Sequence, residues 1–175
     1  MTKDSIVDQE YPWTQYAWIG IGTNLGDMAQ CLEFAKTEIQ KLSNHPILQS
    51  SLYQSEPWGL KDQPVFINQV VGIQPKYTAD QTLEILLNIE KVCQRHRILR
   101  WGPRTLDLDL LAWKSDIVQT EFLTLPHPRL HLRKFVLIPW LEISGNIFIS
   151  GLNQTVADLA QNCTDPSWVK KCDIP

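Results

Sequence analysis

The spacing of apolar residues changes several times along the chain, and each change marks an element. Residues 16–22 (YAWIGIG) form an apolar run that predicts a first strand. Asp27 then stands where a helix needs a side-chain acceptor, and residues 28–42 follow with Leu32, Ala35 and Ile39 on one face. After His45-Pro46, residues 47–54 read as a second strand. EPWGLKDQP (56–64) holds two prolines and a glycine and predicts a loop, ahead of a third strand over 65–73. Thr78-Ala-Asp-Gln81 fits a capping box for a helix that runs to about residue 94, with Leu83, Leu86, Leu87 and Ile89 facing inward. A fourth strand covers 106–113, a turn 114–116, and 117–120 is expected to pair back on that strand as a hairpin. Further on, 132–142 has helical character interrupted by Pro139, with a short strand at 147–149 and a short helix at 156–161.

The order strand, helix, two strands, helix, strand is that of a ferredoxin-like α+β sandwich: a largely antiparallel sheet with helices on one face. Residues 1–15 are polar and irregular and read as a loose extension, leaving 16–175 as a single domain. The composition agrees, because 175 residues that are 43% hydrophobic and 20% charged can bury one real core. A formal net charge of -3 argues against a general nucleic-acid binder. No apolar window is long enough to span a bilayer, and Asp4, Asp8 and Glu10 replace the basic start of a secretory signal, so a cytoplasmic protein is expected. Cys31, Cys93, Cys163 and Cys172 are scattered without a C-x-x-C and read as reduced thiols.

The candidate chemistry gathers in RWGPRTLDLDLL (100–111). On a strand, Asp107 and Asp109 point to one face, while Leu106, Leu108 and Leu110 point to the other. Two adjacent carboxylates repel unless a cation lies between them, and hard oxygen ligands of this kind suit Mg²⁺ completed by water and phosphate oxygens. A solvated sheet face also carries such residues, so the pair alone decides nothing. Arg95, Arg97, Arg100 and Arg104 precede it within ten residues. Arginines after a helix C-terminus also gain from the helix dipole, but a polyphosphate satisfies guanidinium forks and metal-bound carboxylates together, which points to a nucleoside triphosphate.

Other motifs exclude more than they support. GIGTNLGD places Leu25 where G-x-G-x-x-G needs glycine and is followed by no G-K-[ST], so it reads as a strand ending in a glycine turn. His127 and His131 are four apart, but Pro128 stands where H-E-x-x-H needs glutamate. In SEPWGLKDQPVFINQ, Phe66 and Asn68 are two apart on a strand, so a ring and an amide point the same way. That pair suits a flat heteroaromatic ligand as well as ordinary packing.

RWGPRTLDLDLL, SEPWGLKDQPVFIN, GIGTNLGD and LPHPRLHLRKFVLIPWLEI resemble the four diagnostic segments of the hydroxymethyl-dihydropterin pyrophosphokinases, and along the chain they fall in the right order and at the right intervals over about residues 18–143. The resemblance implies transfer of the β,γ-pyrophosphoryl group of ATP to the hydroxymethyl group of 6-hydroxymethyl-7,8-dihydropterin in folate biosynthesis, with release of AMP and two Mg²⁺ ions. It implies that Asp107 and Asp109 bind the metal and that Arg95 and Arg104 lie on the phosphates near the reacting centre. Glu90, Arg97, Arg100, Trp101, Leu110, His127 and Arg133 match positions that hold or adjoin ATP. Ser55, Pro57 and Trp58 match the loop that reads the pterin edge, Asn68 the amide that hydrogen-bonds it, and Phe66 and Phe135 the rings that sandwich it. The family usually has glycine where Gln94 stands, and smaller apolar residues near Glu56 and Trp58. Two other classes are weighed against this one: a basic-patch RNA-binding module and a catalytically silent homologue. The oligomeric state is left open by the sequence.

Overall fold

The computed structural model describes residues 13–93 and 104–173. Along these the chain forms β1 (Ala17–Thr23), α1 (Met28–Lys41), β2 (Leu48–Gln49), β3 (Leu52–Ser55), β4 (Phe66–Ile73), α2 (Ala79–Val92) and β5 (Asp107–Trp113). There follow β6 (Val118–Gln119), β7 (Thr124–Leu125), α3 (Lys134–Ser144), β8 (Phe148–Ile149), β9 (Gln154–Thr155), α4 (Val156–Asn162) and β10 (Val169–Cys172). The caps act where the sequence put them. Asp27 accepts the Gln30 N–H at 3.0 Å, and Thr78 and Gln81 form a reciprocal capping box at 3.3 and 3.1 Å.

The main sheet has the order β10-β3-β4-β1-β5, with β2 also on β4, and its pairings are antiparallel. With β1 and β4 central and α1 and α2 as crossovers, this is the ferredoxin-like arrangement. The expectation of helices on one face is corrected. Ile19 and Ile21 enter a core with Leu32, Ile39 and Leu86 under α1 and α2, while Trp18 and Val70 enter a second core with Leu137 and Trp140 under α3 and α4. The central strand is buried on both faces, which is why YAWIGIG is almost wholly apolar. A Cβ on Gly72 would lie 2.8 Å from the Trp18 ring, so glycine there lets the indole lie flat on the sheet.

Three further expectations change. The strand over 47–54 is broken because the Ser50 hydroxyl takes the Val70 N–H at 3.1 Å, replacing a ladder bond. Residues 118–119 pair with 124–125 and not with β5. The outer edge of β5 is already occupied: Glu90 accepts the Leu108 N–H at 2.8 Å, and His127 N–H donates to the Leu111 carbonyl at 2.8 Å. Helix α3 runs through Pro139 without a break. Beyond residue 162 the tail adds β10 to the sheet edge, a pairing with β3 that the sequence reading did not anticipate.

Candidate active site

Register builds the site. Across one level of the sheet Tyr53 faces Asn68, Asn68 faces Gly22, and Gly22 faces Asp107; one level along, Gly20 faces Asp109. Directly opposed residues of antiparallel strands share a face. The two aspartates therefore stand beside two residues without side chains, and a cleft of about 630 Å³ opens over them. Leu106, Leu108 and Leu110, on the other face, are buried. Ser55, Trp58, Phe66, Asn68, Arg104, Asp107, Asp109, Arg133 and Phe135 all line this cleft. Pro57 is buried between Glu56 and Trp58 and does not line it. Asn68 is held by bonds from Nδ2 to Ser55 Oγ at 2.9 Å and to the Tyr53 carbonyl at 3.3 Å. Its Oδ1 is thereby turned toward Gly22, within 3.6 Å of where a Cβ on that glycine would stand.

Each aspartate has an arginine. Arg104 Nη1 lies 2.7 Å from Asp107 Oδ2, and Arg133 Nη1 bonds Asp109 Oδ2. Burial pushes the Asp109 carboxyl up, but Arg133, His127 and Arg104 together outweigh it and hold it below the usual carboxylate range. Arg133 is 6% exposed, and its Nε has no hydrogen-bond partner among the described residues. Its guanidinium also lies 5.6 Å from the Trp58 ring and 5.8 Å from the Phe135 ring.

A second cavity of about 760 Å³ opens on the far side of β5, lined by Leu83, Leu87 and Glu90 of α2, by Leu108 to Leu110, by residues 121–124 at the β6–β7 tip, and by His127. Asp109 lines both cavities. Burial, then Arg133, lowers His127 to about 4 against the pull of Asp109. Its Nδ1 accepts the Arg129 N–H at 3.1 Å, so the neutral ring carries its proton on Nε2.

The model of the 7,8-dihydro-6-hydroxymethylpterin-pyrophosphokinase family matches residues 18–145. The chain belongs to this family. It is 37% identical over 155 residues to the 2-amino-4-hydroxy-6-hydroxymethyldihydropteridine pyrophosphokinase of Haemophilus influenzae, covering 88% of this chain and 96% of that protein. It is likewise 37% identical over 161 residues to the enzyme of the same name from Methylorubrum extorquens, covering 90% and 98%. Among solved structures, wild-type Plasmodium falciparum HPPK-DHPS superposes with a TM-score of 0.63 at 12% identity, over 83% of this chain and 44% of that one. At that identity the likeness bears on the fold alone.

Of the residues the pyrophosphokinase resemblance singled out, Glu90, Leu110 and His127 meet in the second cavity, whereas Arg133, grouped with them, lies in the first. Arg95, Arg97, Arg100 and Trp101 lie outside the described residues. Sequence alone does not reveal Gly20 and Gly22 as the floor of the cleft, since it assigns them to a strand that ends in a glycine turn. Gly26, at φ 75°, does serve that turn. The signal that could have found the floor was the pairing of a G-x-G strand with a D-x-D strand at matched spacing. Arg129, 5.8 Å from the Trp58 ring, was also missed.

Proposed function

We propose that this pyrophosphokinase-family chain transfers the β,γ-pyrophosphoryl group of ATP to the hydroxymethyl group of 6-hydroxymethyl-7,8-dihydropterin and releases AMP. The dihydropterin occupies the cleft over Gly20 and Gly22, and ATP occupies the cavity beside Glu90. The observation that carries this reading is that Asp109 lines both cavities, next to Asp107 on the same face. The transferred group would cross at those carboxylates.

The residues fit two Mg²⁺ ions as the reaction's metal. Two carboxylates share one face and offer only hard oxygens. No group of three or more potential ligating side chains occurs among the described residues, so phosphate oxygens and water would complete the coordination. Bound at Asp107 and Asp109, Mg²⁺ would neutralise phosphate charge and polarise the substrate hydroxyl. The chain's own groups do the rest. Phe66 and Phe135 hold the flat pterin, Asn68 Oδ1 accepts from its edge, and the Ser55 to Trp58 segment closes the rim. Arg104, with Arg95, balances charge on the moving pyrophosphoryl group. Arg133, bonded to Asp109 where the two cavities meet, adds positive charge beside the phosphates. Leu110 supplies an apolar wall to the nucleotide, and Arg97, Arg100 and Trp101 are assigned to the nucleotide by family resemblance. Neutral His127 offers Nε2–H beside it without adding charge.

No helix among the described residues is long and apolar enough to cross a membrane, and a cytoplasmic setting with small-molecule partners only, neither membrane nor nucleic acid, suits this activity. The test is product analysis after incubation with ATP, Mg²⁺ and the dihydropterin. AMP and pyrophosphorylated pterin should appear in equal amounts. ADP as the product would overturn the reading. Pterin binding without AMP would mark a silent homologue, and RNA binding with a steep salt slope and no AMP would mark a nucleic-acid module.

A further inference from the structure

GIGTNLGD has so far contributed a glycine floor and a turn, but its asparagine is also engaged. Asn24 follows β1 directly and is 3% exposed. Toward one segment, its backbone N–H donates to the Arg104 carbonyl at 3.2 Å and its Oδ1 accepts the Arg104 N–H at 2.9 Å. Toward another, its Nδ2 donates to the Pro64 carbonyl at 3.0 Å and to Gln63 Oε1 at 3.2 Å. The Arg104 N–H and the Pro64 carbonyl are backbone groups that cannot exchange roles, so they fix which end of the amide faces which segment. Gln63 is oriented in turn, because its Nε2 donates to the Leu60 carbonyl at 2.7 Å.

The two segments carry opposite halves of the site. Arg104 pairs with Asp107 at 2.7 Å, on the side of the transferred group. Residues 56–64 place Glu56 and Trp58 in the wall of the cleft. We propose that Asn24 is a positioning residue that couples the 56–64 loop to the Arg104–Asp107 pair, so that settling of the loop over the pterin and alignment of the arginine proceed together. The inference rests on the pyrophosphokinase reading for its substrates. Only an amide serves: the site needs an acceptor on one side and a donor on the other, within a single short side chain.

Asn24→Asp separates the two halves, since at pH 8 it keeps the acceptor for Arg104 and loses the donor to Pro64 and Gln63. Asn24→Ala removes both. In the full chain, hydrogen exchange should show the 56–64 loop losing protection in Asn24→Asp while the Arg104 region keeps it; in Asn24→Ala both should lose it. In steady-state assays, Asn24→Asp should raise the pterin KM about tenfold with kcat within about threefold, the scale of one or two lost hydrogen bonds. Asn24→Ala should lower kcat about tenfold as well. Gln63→Ala, which leaves the buried amide in place, should show a weaker form of the Asn24→Asp pattern and decides the matter if Asn24→Ala does not fold. Exchange and kinetics like the parent in Asn24→Asp and Gln63→Ala, or an equal fall of both segments in Asn24→Asp, would overturn the proposal. If the parent makes no AMP, the activity reading fails, but the exchange results still decide the coupling because they need no turnover.

Discussion

The floor of the cleft over Gly20 and Gly22 is made by strands whose polar groups already bond one another, with Asn68 tied to Ser55 and Tyr53, and only its rim comes from the 56–64 loop. The cavity beside Glu90 is walled by one helix face, one strand edge and the tip of a hairpin whose strands are two residues each, where Phe122 is 82% exposed. A rigid, flat substrate gains from walls set in advance, because little ordering entropy remains to be lost on binding. A nucleotide with a flexible triphosphate tail is better served by side chains that settle around it. Under the proposed assignment of substrates, the contrast implies that substitutions in the first site act on affinity for the pterin ring, and that those in the second are absorbed unless they reach β5.

Where the sites meet, the largest effect is expected. Asp107→Ala and Asp109→Ala should each lower turnover by about a thousandfold or more while pterin affinity falls much less, and chelation of Mg²⁺ should do the same without changing the melting temperature. Near-normal activity in both variants would reject the metal role. On the strand floor of that cleft, Asn68→Ala should raise the pterin KM by about thirty- to a hundredfold, with the ATP KM within about threefold, because it removes the proposed ligand acceptor and leaves Ser55 Oγ unpartnered from Asn68. Equal changes in both constants would erase the distinction between the sites. The rigid side also has an acid-labile clamp. Glu142 of α3 accepts from Ser51 N and Oγ at 2.8 Å each, from Tyr53 at 3.2 Å and from Lys171 at 2.9 Å. Burial pushes its carboxyl up, but the bonds from Lys171, Ser51 and Tyr53 prevail and bring it down to about 2. The unfolded chain then binds the proton more readily, so the clamp's contribution is complete above about pH 4.5 and is lost as the pH falls toward 2. Thermal melts between pH 5 and 2 should fall more gently for Glu142→Gln than for the parent. The smallest effect is expected on the adaptable side, where Phe122→Ala should change the ATP KM by no more than about threefold and leave the melting temperature unchanged, since an exposed ring contributes little to the fold. A large rise would show that this cavity too is preformed.

Local signals in the sequence were strong where local physics decides. The caps at Asp27 and Thr78 act as read, and the alternation in LDLDL correctly separates buried leucines from the two aspartates. What was missed depends on partners far away in the chain. Nothing near Val169 announces that it will face Ser55, and nothing near Ser50 shows that its hydroxyl will displace a ladder bond at Val70. Gly20 and Gly22 read as ordinary residues of the first strand until register sets them opposite Asp109 and Asp107. Phe135 enters from a separate helix and was reached only through family resemblance. The two later helices were legible, but not their place on the second face, because their residues reveal a period and not the surface they will cover.

The central claim is that the carboxylates at the junction act on the transfer and not on the binding of either substrate. Single-turnover AMP formation by Asp109→Asn, with ATP, Mg²⁺ and dihydropterin all saturating, tests it directly. The expected result is a rate lower by about a thousandfold or more with dihydropterin still bound within a few-fold of the parent's affinity. A rate near that of the parent, or a deficit that disappears once enough dihydropterin is added, would contradict it.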